Sequence, residues 1–76
     1  MTLAEIQAKI QAGIESSRVT VEGDGCSCST KVVSPIFEGM SLLVRQKMVL
    51  AVMDEEITNG TLHALSIKTR TPEEDA

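Results

Sequence analysis

Three side chains in this sequence carry the chemistry of soft metal ligands or nucleophiles: Cys26, Cys28 and His63, the last being the only histidine. Two thiols and one imidazole fall short of the four ligands that a structural zinc site wants. A redox dithiol more often uses a Cys-x-x-Cys spacing, and a disulfide between residues two apart needs strained geometry. A Cys–His catalytic pair needs an orienting third group and an oxyanion hole, and no pattern in the chain specifies either. One thiolate and one imidazole do make half of an iron–sulfur coordination set, because mixed Cys/His ligation of a 2Fe-2S unit is chemically reasonable. Half a set implies that a partner brings the other half. The plainer reading stands beside it: a lone histidine on an apolar strand packs at a core or an edge, and cysteines near a loop simply fill space.

Those residues must be positioned by the elements around them. Thr2-Leu3-Ala4-Glu5 is a capping box, and Leu3, Ile6, Ile10 and Ile14 follow at helical spacing, which predicts a helix over 3–15 ended by Ser16-Ser17. Residues 18–22 alternate apolar and polar, Gly23-Asp24-Gly25 breaks them with a turn, and extended character resumes over 28–33. The two runs read as an antiparallel hairpin with Cys26 in or just beyond its loop, and Cys28 nearer the strand. Ser34-Pro35 starts a brief helical turn that ends at Gly39 and carries Phe37, the sole aromatic, as a plug for one end of the core. Ser41 caps a longer helix to about residue 58, with Leu43, Val44, Met48, Val49, Val52, Met53 and Ile57 at spacings of three and four. On this reading the acidic run Asp54-Glu55-Glu56 falls near the helix C-terminus, where the macrodipole disfavours it, and so forms a solvated face.

Asn59-Gly60 stops that helix and leads into a strand over 61–69, in which His63, Leu65 and Ile67 share one face and Leu62, Ala64 and Ser66 the other. Thr71-Pro72-Glu73-Glu74 is one more helix start with room for a single turn. The order helix, strand, strand, short helix, long helix, strand predicts one α+β domain over residues 1–76. Its three-stranded mixed sheet has helices on one face, a right-handed crossover, and a last strand parallel to its neighbour. This α-β-β-α-α-β layout is shared by the type II KH arrangement, without the Gly-x-x-Gly clamp of KH domains. If the third strand lies beside the second, its entry at His63 approaches the hairpin loop at one end of the sheet.

Composition narrows the function classes. The chain has 76 residues, which is enough for one small core. Its net charge is −4, and the seven basic residues are scattered, with only Arg45 and Lys47 forming a local pair. There is no Trp or Tyr to stack on a base. Both facts argue against a nucleic-acid surface. No segment is long and apolar enough for a membrane span, and the N-terminus lacks the pattern of a signal peptide, so a cytoplasmic protein with reduced thiols is expected.

The residues also point to a family. The chain resembles the BolA-like proteins over nearly its whole length. The resemblance rests on Gly25-Cys26-Ser27-Cys28-Ser29, on the run from Val33 through Phe37-Glu38-Gly39 to Ser41, on Leu43-Val44-Arg45-Gln46, on Leu62-His63-Ala64-Leu65-Ser66-Ile67-Lys68, and on Thr71-Pro72-Glu73-Glu74. It implies a non-enzymatic adaptor in iron–sulfur cluster assembly or trafficking that shares a 2Fe-2S cluster with a monothiol glutaredoxin of the Cys-Gly-Phe-Ser type. His63 would be one ligand and Cys26 the second, with Cys28 less favoured. The glutaredoxin cysteine and a glutathione thiolate would complete the set, and no cofactor would be held tightly by the chain alone. Arg45, Gln46 and Lys47 at the start of the long helix are the candidate partner contacts. The chain has Arg45-Gln46 where many relatives carry Arg-His, and its C-terminal helix is cut short after about residue 71. A DNA-binding regulator of stress response or cell morphology is the alternative, led by Arg45 and Lys47 on the helix-turn-helix-like segment 37–58. A weak homodimer stays open.

Overall fold

The structure is a computed structural model that describes residues 2–23, 27–62 and 64–76. Helix α1 (Leu3–Gly13) begins in the expected capping box: the Thr2 hydroxyl accepts the Glu5 N–H at 3.1 Å, and Glu5 Oε1 accepts the Thr2 N–H at 2.9 Å. It ends two residues before the predicted boundary. Ile14 is already extended (φ −117°, ψ 112°) and turns its side chain into the core, so burial of an isoleucine rather than the following serines stops the helix. Gly13 lies where α1 crosses a later helix, since a Cβ there would sit 2.6 Å from Val52 Cγ2.

Strands β1 (Arg18–Gly23) and β2 (Ser27–Val33) pair antiparallel, as their alternation predicts. The turn residues Asp24 and Gly25 lie outside the described residues. Strand β3 (Ala64–Arg70) pairs with β2 in parallel, giving the sheet order β1-β2-β3. Register puts Val19 and Val21 with Cys28, Thr30 and Val32, and with Leu65, Ile67 and Thr69, on one face. The opposite face carries Arg18, Thr20, Ser29, Lys31, Ser66 and Lys68. Thr30 is buried on the packed face because its hydroxyl donates to the Thr20 carbonyl at 2.9 Å.

The predicted long helix is two helices. Helix α2 (Leu42–Val52), capped by the Ser41 hydroxyl on the Val44 N–H at 3.2 Å, gives way at Met53 (φ −101°, ψ 11°) to α3 (Asp54–Thr58). Met53 is fully buried, and its N–H reaches the Leu50 carbonyl at 3.1 Å. The break moves the acidic run: Asp54, Glu55 and Glu56 form the first turn of α3, where the helix dipole favours carboxylates. The predicted apolar stripe is also corrected. Arg45, Val49 and Met53 face the core, whereas Leu43, Val44 and Ile57 are exposed.

The core joins Ile6, Ile10 and Ile14 to Val19, Cys28, Val32, Phe37, Val49, Met53 and Leu62. Ser34 is a buried hub at its end. Its hydroxyl donates to the Glu15 carbonyl at 2.7 Å and caps the 3-10 turn Pro35–Phe37, while its N–H bonds the Arg70 carbonyl at 3.0 Å. Helix α4 (Pro72–Asp75) is the single turn expected, with a Thr71/Glu74 capping box. Helices α1 and α2 cover the packed face, but α4 reaches past it, because Asp75 pairs with Lys31 on the opposite face. Among the described residues no helix is long and apolar enough to cross a membrane.

Candidate functional site

Cys26 and His63 themselves lie outside the described residues; the elements on either side of them do not. Parallel pairing of β2 with β3 opens on the couple Ser27↔Ala64. Ser27 directly follows Cys26 in the chain, and Ala64 directly follows His63. The two strands therefore begin side by side at one end of the sheet, the adjacency expected from the sequence.

Each strand entry is anchored from behind. Leu62 is fully buried, and its N–H bonds the Glu56 carbonyl at 3.0 Å, tying the entry of β3 to α3. The Thr61 N–H donates to Asn59 Oδ1 at 2.9 Å, a local turn that the Asn-Gly-Thr order could have signalled. Glu56 is itself fixed, since its carboxylate takes the Lys9 ammonium of α1. That hydrogen bond holds the Glu56 carboxyl below its ordinary value of 4.5. On the other strand, Gly23 pairs with Cys28 and adopts φ +117°. A Cβ at Gly23 would lie 2.6 Å from the Ser27 carbonyl oxygen and 2.8 Å from Cys28 Cα. Only glycine fits this close, left-handed exit from β1.

Cys28 takes a different place from a loop thiol. It is buried on the packed face and belongs to the core cluster, in register with Leu65 of β3 and Gly23 of β1. Among the described residues no group of three or more His, Cys, Asp or Glu side chains is arranged to hold a metal ion.

The residues at the start of α2 divide sharply. Arg45 is buried and committed within the fold. Its guanidinium donates to Glu74 Oε1 at 2.7 Å, its Nε to the Met40 carbonyl at 3.1 Å, and its Cζ sits 5.9 Å from the centroid of the Phe37 ring. Arg45 first, then the Thr71 N–H, holds the Glu74 carboxyl below 4.5. Sequence reasoning missed this clamp, although Arg45 and the Thr71/Glu74 box were both visible; their separation of 29 positions hid the link. Gln46 and Lys47 are exposed.

Comparison with known proteins agrees with this architecture. The pattern of the BolA-like proteins matches residues 5–74. The chain is 36% identical over 70 residues to the acid stress protein IbaG of Escherichia coli K12, covering 92% of this chain and 83% of that one. It is 39% identical over 74 residues to human BolA-like protein 2, covering 91% and 84% of the two chains. The solved structure of a bolA protein homologue from Coxiella burnetii superposes with a TM-score of 0.86 at 37% identity, covering 99% of this chain and 96% of that one. The chain belongs to the BolA-like protein family.

Proposed function

We propose that this protein is a non-enzymatic adaptor that receives, holds or passes a 2Fe-2S cluster as cargo, together with a monothiol Cys-Gly-Phe-Ser glutaredoxin. The observation that carries the reading is the Ser27↔Ala64 register at the start of the parallel pair, because it brings the chain positions next to Cys26 and His63 to one end of the sheet. A Cys26 thiolate and a His63 imidazole supply two ligands of suitable softness, and the glutaredoxin cysteine with a glutathione thiolate supplies the other two. Two ligands do not retain a cluster against solvent, so the chain alone binds none tightly. The burial of Cys28 in the core favours Cys26 as the thiol ligand. Exposed Gln46 and Lys47 are the partner contacts of the α2 start, and Arg45 acts behind them by setting the helix. The working compartment is the cytoplasm, where thiols stay reduced. The DNA-binding alternative loses its leading cation, since Arg45 faces Glu74 rather than a groove.

Mixing the chain with a cluster-loaded glutaredoxin and glutathione tests this. The visible circular dichroism of the mixture is expected to differ from that of the glutaredoxin alone. His63→Ala and Cys26→Ala should each alter that spectrum and shorten the life of the cluster. Spectra and decay rates identical to wild type for both variants would show that the ligands are wrong.

A further inference from the structure

Basic residues that lie apart in the sequence come together in the fold. Four of the seven, Arg18, Lys31, Lys68 and Arg70, share the open face of the sheet by strand alternation and register. Glu22 shares it too, and α4 brings Asp75 onto it. Four cations against two carboxylates leave this face at net +2, so the remainder of a chain of net charge −4 carries −6. Lys31 and Lys68 are register partners across β2 and β3. Like charges set opposite each other on a sheet repel, and the fold answers only one of them. Lys31 meets Asp75, whereas among the described residues Lys68 meets no carboxylate. The Lys31 ammonium first, then Arg18 and Arg70, holds the Asp75 carboxyl below its ordinary 3.8. Beside this seat, Lys31 and Lys68 border a shallow hollow of about 520 Å³ whose other walls include Thr20, Glu22, Ser29 and Ser66.

We infer that the open face of the sheet is a docking surface for a short acidic segment of a partner protein. Its carboxylates sit over Lys31 and Lys68 and accept from the Ser29 and Ser66 hydroxyls, as charge-assisted hydrogen bonds. Asp75 is the chain's own instance of such a carboxylate. It holds one end of the face and competes with an incoming acid for Lys31. A short segment fits better than a long polyanion, because the negative charge on the rest of the chain repels whatever extends past the face. A nucleic acid would also find no aromatic ring on the face to stack on, since the sole aromatic, Phe37, is buried in the core. An anionic membrane gains little here either: among the described residues every exposed large apolar side chain lies on α2 and α3 rather than on this face.

Fluorescence anisotropy of a labelled hexaglutamate peptide, titrated with the full chain at about 0.1 M salt, tests it. Saturable binding is expected below about 1 mM chain. Lys68→Glu should weaken it about fivefold or more with an unchanged far-ultraviolet spectrum, because Lys68 is exposed. Asp75→Asn should tighten it about twofold by releasing Lys31. The pair Ala8→Glu with Gln11→Glu, exposed on α1, lowers the net charge by as much as Lys68→Glu and should leave binding within about twofold of wild type. The proposal is overturned by any of four results: no saturation up to about 1 mM chain, a Lys68→Glu variant that binds like wild type, an α1 variant that loses as much as Lys68→Glu, or no gain on Asp75→Asn. A single-stranded DNA oligonucleotide that binds more tightly than the peptide at the same salt would also overturn it, in favour of a nucleic-acid surface.

Discussion

Arg45 shows how a residue type can mislead at the surface and inform in the fold. Its charge and its neighbour Lys47 suggest a small cationic patch, yet the guanidinium is buried against Phe37 and held by Glu74 and the Met40 carbonyl. Replacing it with methionine keeps most of the apolar stem but leaves the Met40 carbonyl without this donor. Arg45→Met is therefore expected to cost about 1–3 kcal/mol of stability in urea denaturation. Gln46→Ala, one residue along and exposed, should stay within roughly 0.5 kcal/mol of wild type. If the two variants prove equally stable, the clamp contributes nothing and Arg45 is free to act at the surface. No periodicity points to this role, because a helix pattern reports which side faces inward and not which distant carboxylate waits there.

At the scale of elements, most boundaries were legible where a cap or a turn residue names them. The Thr2/Glu5 and Thr71/Glu74 boxes, the Ser34-Pro35 start and the Ser41 cap all stand where sequence puts them. What was not legible was the break at Met53 and the side of α2 that faces the core. Leu43, Val44, Leu50 and Ile57 fit an apolar spacing as well as Val49 and Met53 do, so periodicity could not choose between two apolar sides. The β1–β2 exit is the opposite case, a glycine whose need was not evident until the strands were paired. Gly23→Ala forces a Cβ to 2.6 Å from the Ser27 carbonyl oxygen at φ +117°. This should cost about 2 kcal/mol and lower the Tm by roughly 8–16 °C. Because Ser27 starts the pair with Ala64, the same variant should also disturb cluster exchange with the glutaredoxin. An unchanged Tm would mean that the β1 exit relaxes freely and does not set the entry of β2.

For the whole molecule, the fold is closed by ion pairs that join distant parts of a small chain. Lys9 of α1 meets Glu56 of α3, Arg45 of α2 meets Glu74 of α4, and Lys31 of β2 meets Asp75. The hydrogen bond from the basic partner is the main cause that lowers each of these carboxyls, and the Thr2 N–H does the same for Glu5. A carboxyl lowered on folding releases its proton more readily in the native state than in the unfolded one. Its contribution is present above the unfolded value, 4.5 for Glu and 3.8 for Asp, and is lost as pH falls through the lower native value. All four groups act in the same direction. The Tm should therefore be nearly level from neutral pH to about 5 and decline as pH falls below about 4.5. Glu56→Gln removes one titrating group and one inter-helix pair, so it should lower the plateau slightly and make the acid slope shallower. A Tm that stays level down to about pH 3 would show that these carboxyls titrate alike in both states. The pairs would then be surface decoration, and the apolar core from Ile6 to Leu62 would alone hold the sheet end where Ser27 and Ala64 begin.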